Sequence, residues 1–246
     1  MQSPETGAFD LGLSVIVPAY DEAGNLDSLI EAVLANLPTA AGQFEIVLVD
    51  DGSTDETGAI ADALALRHPA VRVIHHPHNL GFGAAVRSGI AAARLEWVVV
   101  IPADHQFDIR DLPKLLAACA GADIVCAYRL GRRDTRRRRA VSRAYNWYVA
   151  RVHGYHFRDL NWVKMFRRAI FERITIESSG FCIDIEILLK ARVLGCRVVE
   201  VPVPHHPRQW GKPTAISVGN VYRTVRELAR IRAWVDATLP RASQHA

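Results

Sequence analysis

Long apolar runs are missing from this 246-residue chain. None reaches the roughly 18 consecutive apolar residues that a bilayer-spanning helix requires. Residues 1–10 are polar and lack the basic and apolar regions of a signal peptide, so no secretory leader is predicted. The expected location is therefore the cytoplasm, and any contact with the cytoplasmic face of a membrane is expected to be peripheral.

Cysteine is also scarce, with four residues in the whole chain. Their spacing matches neither a metal-binding pair nor a redox pair, and each cysteine is surrounded by apolar residues. Disulfide scaffolds and zinc modules are thereby excluded. The sequence predicts buried, reduced thiols, as expected in a reducing compartment. The four are Cys119, Cys126, Cys182 and Cys196.

The composition is otherwise that of an ordinary soluble protein, with 50% hydrophobic and 23% charged residues. The formal net charge is +4, and the basic excess is concentrated in residues 132–143, where seven arginines occur. A charge run usually marks a solvated face, but this local excess favours binding of polyphosphate or of anionic lipid. No nucleic-acid partner is expected.

Apolar strands alternate with helical patterns through the first half of the chain. This alternation predicts an α/β fold with a mostly parallel twisted sheet flanked by helices. The predicted strands are 13–18, 44–49, 71–74, 98–101 and 123–128, and the predicted helices are 26–37, 59–65, a segment ending at 93, and 112–120.

The stretch that leaves the fourth strand carries the first candidate site. Four β-branched residues are followed by Pro102, Ala103, Asp104 and, two residues later, Gln106. Parallel sheets bind ligands beyond the carboxyl ends of their strands, which places Asp104 and Gln106 where chemistry is usually done. On this stretch alone, an ordinary loop is an equally good interpretation.

Three other strand exits carry polar residues. Tyr20 and Glu22 follow the first strand, and Asp50-Asp51-Gly52-Ser53 follows the second; both loops suit either ligand binding or turn and helix-start roles. His75, His76 and His78 are interpreted as a solvated loop rather than a metal site. Gly81-Phe82-Gly83 is rejected as a dinucleotide fingerprint because Val86 occupies the third glycine position.

The second half is predicted to contain a helix at 141–152, a proline-broken strand at 195–204 that suits only an edge or a terminus, and a final helix at 216–239. The last helix has an apolar side and an arginine side. Packing on the domain and lying in a membrane interface are equally good interpretations. We assign 1–212 to the catalytic domain and 213–246 to a C-terminal amphipathic helix and tail, within the same domain or on a membrane surface.

Taken together, these motifs resemble the family 2 nucleotide-sugar glycosyltransferases of the GT-A (Rossmann-like) fold, within them the polyprenyl- or dolichol-phosphate mannose or glucose synthases. The resemblance covers roughly residues 13–215. The matching segments are Val17-Pro18-Ala19-Tyr20-Asp21-Glu22, Val49-Asp50-Asp51-Gly52-Ser53, Asn79-Leu80-Gly81, Ala103-Asp104 with Gln106, Tyr128-Arg129, Glu200-Val201-Pro202-Val203, and Arg208 with Gly211.

The resemblance implies roles for individual residues. Asp104 and Gln106 would face a divalent metal, Mg or Mn, and the diphosphate; Asp104, Arg129 and Asp184 would form the catalytic set. The implied donor-binding residues are Pro18, Tyr20, Glu22, Val49, Asp51, Ala103 and Asp104. The implied acceptor- or phosphate-binding residues are Arg129, Arg139, Ser142, Arg208 and Lys212. One departure stands out: Pro102 occupies the position of the first aspartate in the family's Asp-x-Asp motif.

The expected reaction is transfer of a hexose, with inversion, from a GDP- or UDP-sugar to a polyprenyl phosphate. A phosphate monoester is already anionic at pH 7 and needs no general base. A soluble hydroxyl acceptor would need one, such as Asp184 or Glu186. The alternatives are that hydroxyl-acceptor enzyme and a non-catalytic nucleotide-sugar binding protein. A homodimer is left open.

Overall fold

A computed structural model describes residues 9–131, 136–154, 156–160, 162–180, 182–205 and 218–238. The side chains of 136–141, 153, 218–223 and 225 are not part of that description. Arg208 and Lys212, predicted to bind phosphate, lie outside the described residues, and so does the side chain of Arg139.

The described strands form one mixed sheet in the order β3-β2-β1-β4-β6-β5-β7. All neighbouring pairs are parallel except those of β6, which runs antiparallel to both β4 and β5. The strands are β1 Phe9–Ala19, β2 Ala41–Asp50, β3 Val71–His75, β4 Trp97–Val100, β5 Ile124–Leu130, β6 Lys164–Arg167 and β7 Val198–Pro204.

Helices cover both faces of this sheet. They are α1 Ala23–Ala40, α2 Thr57–Arg67, α3 Phe82–Ala92, α4 Leu112–Ala117, α5 Arg136–His153, α6 Ile183–Val193 and α7 Val218–Thr238. The predicted α/β class and mostly parallel sheet are confirmed, and so is the edge position of the proline-containing β7. The helix predicted at 141–152 begins earlier, at Arg136, because arginine is a good helix former and the arginine run continues into α5.

The core lies in two layers because successive strand residues point to opposite faces of the sheet. On β1, Val15 and Val17 pack with the apolar side of α1, whereas Ile16 packs with α3 and α6. Helix α3 lies very close to β1: a Cβ added at Gly89 would be 2.3 Å from Ile16 Cγ2. This close packing places the start of α3 beside the carboxyl ends of the strands.

The last described helix packs on the domain. Leu228, Ile231 and Val235 are buried where α7 contacts α6, so the described part of this helix packs on the domain. Throughout the part of the chain that the structure describes, no helix combines the length and apolar character needed to cross a bilayer.

The predicted thiols are confirmed as free cysteines. Three of them are buried, and burial raises the pKa of Cys126 to about 12, which makes it a poor nucleophile. Cys196 departs from the prediction because it is only partly buried.

Candidate active site

The ends of β1 and β2 place several predicted donor-binding residues side by side. Pro18 is in register with Val49, and the Asp51 amide donates a hydrogen bond to Ala19 O at 2.9 Å. Tyr20, directly after β1, leaves 42% of its surface exposed. Two neighbouring parallel strands therefore deliver these residues to the same edge of the sheet, as expected from the fold.

The loop after β1 is fastened to the loop after β2. The amide of Glu22 donates to Thr57 Oγ1 at 2.8 Å, and that of Thr54 donates to Asp21 Oδ1 at 2.8 Å. Asp21 has a φ of +52°, a backbone conformation uncommon outside glycine. Asn25 Nδ2 donates to Glu22 Oε2 at 2.5 Å and so orients this carboxylate. The two loops behave as one preformed surface.

Asp51 is buried and accepts three hydrogen bonds. Its Oδ1 accepts from the Leu80 amide at 3.0 Å and lies 2.6 Å from His76 Nδ1, and its Oδ2 accepts from the Gly81 amide at 2.8 Å. The carboxylate therefore holds the turn that starts α3. Its predicted role in nucleotide binding stays a prediction, and only the remaining acceptor position is available for it.

Most of the histidine loop is exposed, as the sequence predicted, but His76 is an exception. His76 is almost fully buried between Asp51 and Ser88. His75 lies between the carboxylates of Asp50 and Asp62, and their hydrogen bonds raise its pKa. Each ring nitrogen has found an acidic or hydroxyl partner, which the local sequence alone did not indicate.

The loop after β4 is the third part of this edge. The Ile101 amide donates to Ile16 O at 2.9 Å, so the loop starts beside β1. Asp104 is 8% exposed, and its Oδ1 accepts from the Gln106 amide at 3.1 Å. Between them, His105 has a φ of +56°, and its Nε2 lies 2.9 Å from Ser28 Oγ and 3.1 Å from Asn25 O.

These contacts fix the position of Asp104 relative to the β1 loop. His105 ties the segment to α1 at Asn25, the residue that also orients Glu22. A left-handed backbone at a non-glycine residue is held only where the surroundings determine it. The two described non-glycine residues with positive φ, Asp21 and His105, thus lie in the loops after β1 and β4 at this edge.

The fit of this edge to a divalent metal depends on one carboxylate. Among the described residues, no three His, Cys, Asp or Glu side chains group closely enough to hold a metal ion by themselves. Mg²⁺ in nucleotide sites is commonly held by one or two carboxylates together with substrate phosphates. Asp104 and the nearby Gln106 suit that arrangement, in which the donor diphosphate supplies the other ligands.

The ends of β5 and β6 carry a second group of residues at the same edge of the sheet. Arg129 Nε and Nη2 donate to the two carboxylate oxygens of Asp159 at 2.6 and 2.8 Å, and the guanidinium lies 4.7 Å from the centre of the Trp162 ring. Both charged side chains are buried. Asp159 was not among the predicted site residues, although it lies in the segment that the resemblance matches.

Lys164 is a buried lysine beside this pair. Its Nζ donates to Leu160 O at 2.7 Å and to Trp162 O at 2.8 Å, and lies 3.2 Å from Asp184 Oδ2. Burial raises the pKa of Asp184, although the nearby Lys164 opposes the rise. Asp184 keeps 22% of its side chain exposed, so it remains accessible from the site edge.

Ser142, predicted to bind the acceptor, is partly buried on α5. The structure thus brings most of the predicted residues to one edge, in a group at β1, β2 and β4 and a group at β5, β6 and α6.

Lys164 and β6 escaped prediction because the strand is four residues long and begins with a charged side chain.

The sheet and its helices form the GT-A fold, as in the solved structures that match this chain. A crystal structure of glucosyl-3-phosphoglycerate synthase from Mycobacterium tuberculosis in complex with UDP matches with a TM-score of 0.68, covering 94% of this chain and 82% of that chain at 19% identity. Structures of the same protein with Mn²⁺ and UDP-glucose match similarly.

The family is set by sequence. The model of glycosyl transferase family 2 matches residues 14–188, and the chain belongs to that family. A polyprenol monophosphomannose synthase of Mycolicibacterium smegmatis is 33% identical over 216 residues, which cover 80% of this chain and 78% of that protein.

Two further relatives are longer than the matched region. An undecaprenyl-phosphate 4-deoxy-4-formamido-L-arabinose transferase of Edwardsiella ictaluri is 31% identical, covering 81% of this chain and 62% of that protein. Glycosyltransferase AglD of Haloferax volcanii is 33% identical, covering 80% of this chain but 33% of its own length. The chain therefore spans only part of these two proteins.

Proposed function

We propose that the protein transfers a hexose from a GDP- or UDP-sugar to a polyprenyl phosphate, with inversion, at the cytoplasmic face of a membrane. The observation that supports this most is the position of Asp104. Asp104 follows β4, which lies between β1 and β6 in the sheet. The joined loops after β1 and β2 are therefore on one side of it, and the Arg129–Asp159 and Lys164–Asp184 pairs are on the other. Relatives named for polyprenyl-phosphate sugar chemistry support the acceptor class.

The donor nucleotide would lie over β1 and β2. The remaining acceptor position on Asp51 Oδ2 suits a ring N–H donor, which both uracil and guanine carry. The exposed Tyr20 ring offers an apolar face beside it. Glu22, oriented by Asn25, would accept from a ribose hydroxyl.

Cleavage of the sugar–diphosphate bond develops negative charge on the leaving diphosphate. A divalent cation held by Asp104 and Gln106 would supply electrostatic stabilisation of that charge. Burial and the hydrogen bond from the Gln106 amide hold the Asp104 side chain in place before any ligand arrives.

The acceptor would approach from the β5 and β6 side. A phosphate monoester acts as its own nucleophile because its second pKa is near 6. Arg129 is already neutralised by Asp159, so Arg208, Lys212 and Arg139 would provide the main charge for binding the acceptor phosphate. A hydroxyl acceptor is the second candidate, and one observation favours it: the raised pKa and partial exposure of Asp184 suit a general base.

Helix α5 supports contact with an anionic membrane. Trp147 is 68% exposed and Tyr148 is exposed beside it. Arg143 and Arg151, both exposed, flank Trp147 at a spacing of four residues and so share its face. Tryptophan and tyrosine favour the headgroup region, and arginine favours anionic lipid.

The test combines both acceptor classes. Transfer from labelled GDP-mannose and UDP-glucose is measured with polyprenyl phosphate in vesicles and with soluble hydroxyl acceptors, for the unaltered protein and for Asp184→Asn. We expect transfer to the polyprenyl phosphate, largely retained in the Asp184→Asn variant. Transfer only to a hydroxyl acceptor, lost in that variant, would establish the second candidate. Nucleotide binding without any turnover would establish a binding protein.

A further inference from the structure

We propose that His76 is a positioning residue for the donor nucleobase, acting through the carboxylate of Asp51. This inference rests on the proposed function, in which Asp51 receives the base. It concerns a residue in the loop after β3, outside the motifs that carry the resemblance. Three observations support it: the His76 ring is buried, it contacts two side chains, and three of the acceptor positions of the Asp51 carboxylate are already used.

The ring bridges two elements of the fold. Nδ1 lies 2.6 Å from Asp51 Oδ1 at the end of β2, and Nε2 lies 2.8 Å from Ser88 Oγ on α3. The backbone of His76 is also fixed, because its amide donates to Asp50 O at 2.9 Å. The imidazole is thus held at both nitrogens and at the main chain.

The partners determine which nitrogen donates. An ionised carboxylate can only accept, so His76 Nδ1 carries a hydrogen toward Asp51. In the neutral ring, Nε2 then accepts from the Ser88 hydroxyl; in the protonated ring it donates to the same oxygen. Because a hydroxyl can serve in either role, both bonds persist in either charge state. Asp51 therefore has a permanent donor on Oδ1.

A ligand would bind to the other carboxylate oxygen of Asp51, Oδ2. A carboxylate offers about four acceptor positions. Two on Oδ1 are taken by His76 and by the Leu80 amide, and one on Oδ2 is taken by the Gly81 amide. Loss of the His76 bond would leave the carboxylate held by the Leu80 and Gly81 amides alone. We expect the single position left on Oδ2 to be held less firmly in one direction.

Side-chain geometry provides matched variants. Asparagine places its amide nitrogen near the position of Nδ1, so His76→Asn keeps a donor for Asp51. Glutamine places its amide near Nε2, so His76→Gln keeps a contact with Ser88 and loses the one with Asp51. His78→Gln, in the exposed part of the same loop, is the control for the loop itself.

The experiment is calorimetry with UDP, GDP and inorganic pyrophosphate, each with Mn²⁺, alongside donor KM and kcat. We expect His76→Gln to weaken binding of the cognate nucleoside diphosphate by about tenfold, the size expected for one hydrogen bond to a charged group. Pyrophosphate binding by His76→Gln should be unchanged. Its KM for the donor should rise, whereas its kcat should stay close to that of the unaltered protein. His76→Asn should restore most of the affinity, and His78→Gln should match the unaltered protein.

Two results would overturn the inference: equal nucleotide affinity in His76→Gln and the unaltered protein, or a loss that is equally large for pyrophosphate. If His76→Gln does not fold, Ser88→Ala decides in its place. A selective loss of nucleotide over pyrophosphate affinity then supports the inference, and unchanged affinities overturn it. Failure of the proposed function is distinguishable, because it shows in the unaltered protein, as no transfer to polyprenyl phosphate or as binding of neither UDP nor GDP, and not as a difference between the variants.

Discussion

Arg129 and Asp159 form a buried bidentate ion pair at the edge of the sheet, with donor–acceptor distances of 2.6 and 2.8 Å. The Trp162 ring covers the guanidinium. An arginine held in this way is neutralised by its own carboxylate partner before a substrate phosphate arrives. We therefore expect the pair to shape this edge of the sheet more than it adds positive charge to it.

Replacing one residue of the Arg129–Asp159 pair should lower the free energy of unfolding more than replacing both residues. Asp159→Ala leaves a buried guanidinium without its carboxylate, and we expect a loss of about 3–5 kcal/mol in the free energy of unfolding. The double variant Arg129→Met with Asp159→Leu should lose less, because neither charge remains buried. Urea denaturation of the variants measures both values; a double variant less stable than Asp159→Ala would contradict this account.

Asp104→Asn should remove the metal-dependent part of donor binding and reduce transfer by at least about a hundredfold, since electrostatic stabilisation of the leaving group is lost. The measurement is nucleotide calorimetry with and without Mn²⁺, together with turnover. Asp108→Asn is the matched control, because its carboxylate pairs with the exposed Arg110. Near-normal turnover by Asp104→Asn would exclude Asp104 from the mechanism.

Gly83→Ala should destabilise the turn that starts α3. A Cβ there would lie 2.6 Å from the carbonyl carbon of Ser179. This contact is too short, and relieving it would require the main chain at Ser179 to move. We expect a loss of roughly 1–3 kcal/mol and weaker nucleotide binding. Gly24→Ala on α1 is the control, since its Cβ would meet nothing within 4 Å, and a small gain of about 0.5–1 kcal/mol is expected there. Thermal unfolding would show the contrast; equal melting temperatures would refute it.

The buried Glu186–Lys190 pair should make stability depend on acid. Burial alone would raise the pKa of Glu186, but hydrogen bonds from Lys190 and from the Glu177 and Ser178 amides outweigh it, so the folded-state pKa lies below the ordinary 4.5. A lowered carboxyl pKa contributes stability above pH 4.5, and this contribution disappears as the pH falls through the folded value.

Glu186→Gln should therefore be less stable than the unaltered protein at pH 7, by about 3–5 kcal/mol, with the difference shrinking as the pH falls below 4.5. Denaturant titrations at a series of pH values measure this. A difference that stays constant down to the acid limit would show that the pair is not the cause. Glu172→Gln, at an exposed ion pair with Arg168, provides the surface control.

Trp147→Ala should weaken binding to vesicles that contain anionic lipid. The exposed ring is expected to enter the headgroup region, with Arg143 and Arg151 on the lipid phosphates. Co-sedimentation with anionic and with neutral vesicles, at low and high salt, measures the effect. Leu66→Ala, at an exposed apolar residue on α2, should change nothing. Equal binding by Trp147→Ala and the unaltered protein would remove α5 from the membrane contact.

Local sequence determined most of the strands and helices, because buried parallel strands are apolar throughout and helices carry a regular apolar period. It also determined that Pro18 lies at the end of a strand and that Asp51 and Asp104 follow strand ends, and the parallel topology then brings strand ends to a common edge. Strand β6 could not be predicted from local sequence, because its four residues show no distinctive pattern of apolar residues. Its pairing with β4 and β5 depends on contacts between residues distant in sequence.

Which charged side chains already have a carboxylate partner is visible in the tertiary structure alone. The sequence counts Arg129 and Lys164 as cations and His76 as part of a polar loop, but it does not show that Asp159, Asp184 and Asp51 lie within hydrogen-bonding or ion-pair distance of them. Those partners are separated by 20 to 30 residues along the chain. Burial then makes each pairing strong, because a charged group removed from water must find its compensation within the protein.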